Sequence, residues 1–371
     1  MSNSKQIITQ LLASAGITVN GAAPYDIRVN NKKFFSDVLS GGSLALGESY
    51  MDQWWDCADL AEFFHRIFKS SLDTGNLGLK NLVVPYLRTK FLNRQKSKAY
   101  NIGRKHYDLG NDLFIGMLDK NMQYSCGFWK TAKTLDEAQL AKMDLVCRKL
   151  FLQNGESLLD IGCGWGGLLK YAVENYSVSG VGITVSQKQQ TLARERCAGL
   201  PIEIRLEDYR KTTGKFDKIV SVGMLEHVGY KNYKSYMKVV HSMLKSDGLF
   251  LLHTIGSKIT DTRAGDPWID KYIFPDGKLP SLEQLAHATE GLFITEDLQN
   301  FGTYYQTTLQ HWRENFIRSW PELSKKYDER FYRMWIYYLS LFTGNYEARR
   351  HQLWQIVYSK DGREKGYERE L

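Results

Sequence analysis

Apolar residues recur with different periods in different parts of this chain, and the change of period divides it. Up to about residue 80 the pattern is helical and short. QIITQLLASAG and KFFSDVLSGG are amphipathic stretches broken by glycines and by the turn residues around Pro24. Leu60, Phe63, Phe64, Ile67 and Phe68 then fall on one side of a helix, the spacing of a face that packs into a core. After residue 106 helical patterns alternate with short apolar runs. Thr134 and Glu137 form a capping box that opens a helix running through Leu150, and ESLLDIGCGWGGLL reads as strand, glycine turn and helix. Further strands are predicted at VSGVGI, PIEIRL, DKIVSVG and GLFLLHT, with helices from Ser186 to Cys197 and from Asn232 to Leu244. Such alternation predicts an α/β unit whose parallel sheet is covered on both faces. Between Ile255 and Gly291 the chain, including DPWIDKYIFPDGKLP, reads as an irregular insertion too long for a plain connection, and so as part of a substrate site. Two helical stretches, about 305–320 and 328–345, and a last strand, QLWQIVYS, complete the pattern; no internal repeat is found.

Composition narrows the classes. The chain has 371 residues, 43% hydrophobic and 24% charged, which fits a folded protein of two to three cores and excludes a disordered or fibrous one. No apolar run approaches the ~18 residues of a membrane span. The opening MSNSKQIITQ lacks the features of a secretory signal, so a cytoplasmic location is expected. The net charge of +8 favours anionic partners, nucleic acid or lipid headgroups, and charge alone does not choose between them. Five cysteines without a CxxC pair argue against disulfides and structural zinc. From Lys80 to Lys105 there are eight basic residues and no acid, interleaved with Leu82, Val83, Tyr86, Leu87, Phe91 and Leu92. That segment has two readings, a solvated linker between domains or a basic amphipathic stretch lying on an anionic membrane.

Gly162, Gly164 and Gly167 satisfy GxGxxG between a strand and a helix, where backbone amides can approach a ligand closely. A dinucleotide site would also place an acid about 20 residues on; here the strand ends Gly182-Ile183-Thr184-Val185, which disfavours NAD. Gln189 could reach a ribose there, or could simply close a capping box on Ser186. Polar residues also gather beside glycines or strand ends in HYDLGND at 106, QYSCGFW at 123, SVGMLEHVG at 221 and LLHTIGS at 251. Glu226 and His227 follow one predicted strand and His253 ends the next, so all three are expected at one crevice; each also has a structural reading. No metal-ligand spacing accompanies them. Cys126 has a nucleophile reading without a compelling base, and Cys163 reads as a small filler.

Together, HYDLGND, QYSCGFW, LDIGCGWGG, GITVS through Gln189, SVGMLEHVG, LLHTIGS, DPWIDKYIFPDG and NFGTYYQTTL resemble the bacterial cyclopropane fatty acyl phospholipid synthases, relatives of the mycolic acid cyclopropane synthases. The likeness covers nearly the whole chain, including the N-terminal GESYMDQWW segment. It implies a class I SAM-dependent methyltransferase fold, Rossmann-like with a seven-stranded sheet, behind a small, mainly helical N-terminal domain. The divisions are then 1–90 for a lipid- and membrane-binding domain, 91–105 for a basic linker and 106–371 for the catalytic domain. The implied reaction moves a methylene group from S-adenosylmethionine to a cis double bond of a phospholipid acyl chain. Aromatic faces would stabilise the carbocation and a bound bicarbonate would remove the proton that closes the ring. The resemblance assigns the anion to Cys126 and Ile255 through backbone amides and to Glu226, His253 and Tyr305 through side chains. It assigns the cofactor to Tyr124, Ser125, Gly162, Gly164, Thr184, Gln189, Asp208, Tyr209 and Val222. It further implies a homodimer held at the inner face of the membrane by anionic lipids, through the N-terminal domain and segment 80–105, with no nucleic acid partner. The competing readings are a methyltransferase that makes methylated or hydroxylated lipid or acts on RNA or a small molecule, and a membrane-binding protein without catalysis.

Overall fold

The computed structural model describes residues 3–70, 110–260 and 265–369. These form two compact units, one made of 3–70, 265–275 and 309–350, the other of 110–260, 276–308 and 351–369. The basic segment 80–105, the expected boundaries at 90 and 105, and positions 106–109 of HYDLGND lie outside the described residues.

The first unit is helical, as its short amphipathic periods require, with helices Asn3–Ser14, Phe34–Met51 and Leu60–Lys69. Asp59 caps the third by accepting a hydrogen bond from the Glu62 amide, and Leu60, Phe63 and Phe64 are buried while Ile67 and Phe68 are partly covered. These helices do not close a core by themselves. Helices Pro267–Tyr272 and Glu329–Glu347 supply the rest, with the Tyr337 ring 5.0 Å from Phe64, 5.6 Å from Tyr50 and 4.4 Å from Trp268. Arg333 ties the two parts of the chain together by donating to the carbonyl and carboxylate oxygens of Trp55 and Asp56. Gly344 is there because the helices nearly touch; a Cβ would lie 2.6 Å from the Ala61 carbonyl and the His65 amide. The division is therefore not the contiguous one expected from the sequence. Aromatic faces far along the chain complete the N-terminal core, a long-range pairing that local periodicity does not express.

The second unit is built on seven strands, β1 (Ser157–Ile161), β2 (Ser179–Thr184), β3 (Ile202–Leu206), β4 (Phe216–Val222), β5 (Leu244–Ser257), β6 (Ile294–Asn300) and β7 (His351–Ser359). Their order is β3-β2-β1-β4-β5-β7-β6. Strands β3 to β5 run parallel as the sequence predicts, but β7 is antiparallel to both β5 and β6, so the sheet is mixed. Successive side chains point to opposite faces: Leu159, Ile219 and Phe250 join one apolar layer with helix Tyr233–Met243, while Leu158, Val220 and Leu251 join another with helices Leu135–Lys149 and Gly167–Tyr176. Burial on both faces explains why the strands read as nearly continuous apolar runs. The segment expected to be irregular contains the short Pro267–Tyr272 helix of the first unit and, in the second, helix Leu282–Thr289, opened by a Ser281–Gln284 capping box. Among the described residues no helix is long and apolar enough to cross a membrane.

Candidate active site

The carboxyl ends of β1, β2 and β4 open onto one cavity. Strand β1 delivers Asp160 to its wall and then turns sharply. Gly162 adopts φ +87° and Gly164 φ +54°, conformations that side chains resist, and the Gly162 and Cys163 amides both donate to the Ile183 carbonyl at 3.0 Å. At Gly167, which opens the following helix, a Cβ would stand 2.0 Å from the Asn121 carbonyl; only glycine lets the helix start so close to the facing loop. The Cys163 sulfur packs where Gly182 leaves room, and burial pushes its thiol well up, which suits a filler and not a nucleophile.

All nine expected cofactor residues line this cavity. Tyr124 and Ser125 come from the loop before helix Leu135–Lys149, Gly162 and Gly164 from the glycine turn, and Thr184 and Gln189 from the end of β2 and the next helix. Asp208 and Tyr209 follow β3, and Val222 ends β4. The Thr184 hydroxyl donates to Gln189 Oε1 at 2.8 Å, so the Gln189 side chain belongs to the cavity wall, while its backbone amide alone uses the Ser186 cap. At Asp208, burial works against ionisation, but the Arg210 guanidinium, donating at 2.6 and 2.8 Å, holds the carboxyl below its usual range.

Of the residues expected at the anion, Glu226 and Ile255 meet directly, and His253 lies in register with Val222 at the cavity wall. The Ile255 amide donates to Glu226 Oε1 at 2.6 Å, so the amide assigned to the anion is already engaged by the carboxylate. Glu226 Oε2 and His253 Nε2 are buried with no hydrogen-bond partner among the described residues. Burial raises the Glu226 carboxyl to about 7 and drives the His253 imidazole well below its usual range. His253 Nδ1 lies 3.3 Å from Gln355 Nε2 on β7, and its ring meets Phe301 edge-on at 5.7 Å. Phe301 leads into the turn that opens helix Tyr304–Leu323, where Tyr305 is buried. Cys126 is fully buried with its sulfur 3.7 Å from the Thr308 hydroxyl on the same helix, and burial pushes the thiol far up, which removes the nucleophile reading. His227 lines the cofactor cavity, its imidazole lowered to about 4 by burial.

Several polar residues were not legible as part of the site. Gln139 and Lys142 sit on the core side of helix Leu135–Lys149, and Gln139 donates to the Ser125 carbonyl at 2.7 Å. Asp160, 2% exposed, has an unpartnered Oδ1 and a carboxyl raised to about 7 by burial, with nearby Lys142 opposing. The available signal was polar side chains on an apolar stripe: Ala138, Gln139, Lys142, Met143 and Val146 all face inward. A glycine cradle, an unmatched buried carboxylate and an acid after β3 fit a ligand carrying positive charge and an adenosine, the chemistry of S-adenosylmethionine.

Sheet order and cleft together define a class I SAM-dependent methyltransferase. The family model for mycolic acid cyclopropane synthetase matches residues 94–356, and the chain belongs to that family. It is 52% identical over 356 residues to the cyclopropane-fatty-acyl-phospholipid synthase of Escherichia coli strain K12, covering 96% of this chain and 93% of the relative. A tuberculostearic acid methyltransferase of Mycobacterium tuberculosis is 32% identical, with 86% and 80% covered. Among solved structures, the cyclopropane synthase MmaA2 from Mycobacterium tuberculosis superposes with a TM-score of 0.66 at 29% identity, covering 70% of this chain and 98% of that one. The mycolic acid cyclopropane synthase CmaA1, complexed with SAH and CTAB, gives 0.66 at 31%, with the same coverage. The protein is a SAM-dependent enzyme of the methyltransferase class.

Proposed function

We propose that this protein transfers a methylene group from S-adenosylmethionine to the cis double bond of unsaturated acyl chains in membrane phospholipids, forming a cyclopropane ring, with bound bicarbonate as the proton-abstracting base. The observation that carries this reading is the buried pair of unmatched polar atoms, Glu226 Oε2 and His253 Nε2, beside a cleft suited to the cofactor. Two buried polar groups without a protein partner among the described residues suit a small polar species held beside the cofactor, as a bound anion would be. The relative of highest quoted identity, 52%, bears the name of this activity.

When bound, the cofactor supplies an electrophilic methyl on a sulfonium, and the bicarbonate supplies a base too weakly nucleophilic to capture a cation. The chain's own residues do the remaining work. Tyr124, Ser125, Gly162, Gly164, Thr184, Gln189, Asp208, Tyr209 and Val222 hold the cofactor. Glu226 accepts the hydroxyl of the anion, His253 and Tyr305 donate to its oxygens, and the amides of Cys126 and Ile255 complete the set, Ile255 being shared with Glu226. Burial excludes water, which would otherwise quench a carbocation. The Phe301 ring, held against His253, and the Tyr304 ring next to it offer electron-rich faces to such a charge. In the same reading the basic segment 80–105 and the N-terminal unit hold a homodimer at the cytoplasmic face of an anionic bilayer.

The test is Glu226→Gln, assayed with vesicles of unsaturated phospholipid. Turnover should fall by about two orders of magnitude or more while cofactor affinity changes little. Near-normal turnover would reject the site. Mass spectrometry and proton NMR of the product lipid separate a ring from a methyl branch or a hydroxyl.

A further inference from the structure

Lys142 is a fully buried lysine whose ammonium spends itself on one short stretch of chain. Its Nζ donates to Gln123 Oε1 and, at 2.9 Å, to Ser125 Oγ. The same helix face reinforces that stretch above and below. Gln139 donates to the Ser125 carbonyl, and Asp136 accepts from the Lys120 amide at 3.1 Å. Positions 136, 139 and 142 are one helical turn apart, so three successive turns clamp the loop that forms one wall of the cofactor cavity. Asp119 closes the loop from inside by accepting from the Asn121 and Gln123 amides, both at 2.8 Å.

An ammonium has three donors and no acceptor, so Ser125 Oγ must receive from Lys142 and its single proton must be given elsewhere. Among the described residues no other hydrogen bond of that hydroxyl is made, and Ser125 lines the cavity. We propose that Lys142 is a positioning residue that fixes the Ser125 hydroxyl as a donor aimed into the cleft, toward a hydrogen-bond acceptor of the bound cofactor. The cofactor's one anionic group, its carboxylate, is the acceptor such a donor suits. This inference rests on the cofactor reading of the cavity.

Lys142 is faced by Asp119 and Cys126 from the loop side, Asp160 from β1 and His253 from β5; burial brings the ammonium down to about 8 against the pull of the first three. Below that pH the charge is present and the donor is set. Above it a neutral amine can itself accept the Ser125 proton, and the donor is lost from the cleft.

Calorimetric titration of the full-length protein with S-adenosylhomocysteine tests this without turnover. Lys142→Met and Ser125→Ala should each weaken binding about tenfold or more. The double variant should be no weaker than the poorer single one, because both act through the same hydroxyl. Raising the pH from about 7 to about 9 should weaken wild-type binding more than that of Lys142→Met, the ligand's own amine titrating in both. Lys142→Arg, which keeps the charge if the methionine variant misfolds, should lose the pH step. Wild-type affinity in Lys142→Met, multiplying losses in the double variant, or an unchanged pH step in Lys142→Arg overturns the proposal alone. Failure of the wild type to bind S-adenosylhomocysteine at all overturns the cofactor reading with it.

Discussion

At the scale of single residues the site is governed by what burial does to charge. Glu226 is 7% exposed and its carboxyl is raised to about 7, so it is a neutral acid below that pH and an acceptor-only carboxylate above it. If it acts by accepting the hydroxyl of a bound anion, kcat/KM for lipid should rise as the pH passes through about 7. The rise should be absent in Glu226→Gln; an initial-rate profile at fixed bicarbonate concentration checks both. His253 poses the complementary question of which nitrogen carries the proton. With the Gln355 amide donating to Nδ1, the proton of the neutral ring sits on Nε2, which has no partner among the described residues. Gln355, fully buried, thus leaves His253 Nε2 as a donor, the role the proposed anion site requires of it. Gln355→Leu should release that constraint, lowering kcat about tenfold with little change in cofactor affinity. The nitrogen NMR shifts of His253 should move from one tautomer to a mixture of both, and unchanged shifts would refute the role.

At the scale of elements, the helix Leu135–Lys149 does two jobs that its sequence announces unequally. Its start was legible, because a capping box is a local signal: the Thr134 hydroxyl accepts from the Glu137 amide and the Glu137 carboxylate from that of Thr134. Thr134→Ala should cost about 1 kcal/mol and lower the thermal midpoint by a few degrees, measured by calorimetry. Its inward polar residues were not legible as a clamp, since their partners, Gln123 and Ser125, lie in a loop without a period. The same contrast runs through the sheet. Central strands such as β5, with Leu249 to Leu252 fully buried, declare themselves as apolar runs. Strand β6 does not: Ile294 and Leu298 are 46% and 39% exposed, and its one buried residue, Asp297, is polar and paired with Lys149 and Arg369. An edge strand stabilised by ion pairs and backbone pairing to β7 leaves no alternation to read. That Gly162, Gly164 and the end of β2 border one cavity was legible, because glycine turns and strand ends are fixed by topology.

At the scale of the whole molecule, charge is the property that acts on a partner. The net excess of +8 equals the number of basic residues between Lys80 and Lys105, a stretch that contains no acid. A cation near an anionic leaflet gains only about 1 kcal/mol, and the gain decays over roughly 10 Å at moderate salt. One lysine therefore anchors nothing, whereas several acting together hold a protein at a bilayer, most strongly where apolar residues such as Leu87 and Phe91 are interleaved with them. An enzyme acting on phospholipid acyl chains must reach its substrate there, so adhesion and turnover should respond together. Replacing Arg88, Lys90, Arg94, Lys96 and Lys98 with Gln should sharply reduce co-sedimentation with vesicles containing phosphatidylglycerol. Raising salt from about 0.05 to about 0.5 M should do the same to the wild type. Both should have little effect on the residual binding to zwitterionic vesicles, where no surface potential exists to be screened. Binding to anionic vesicles that persists in high salt and in the five-residue variant would show that apolar contact, and not charge, brings this protein to lipid.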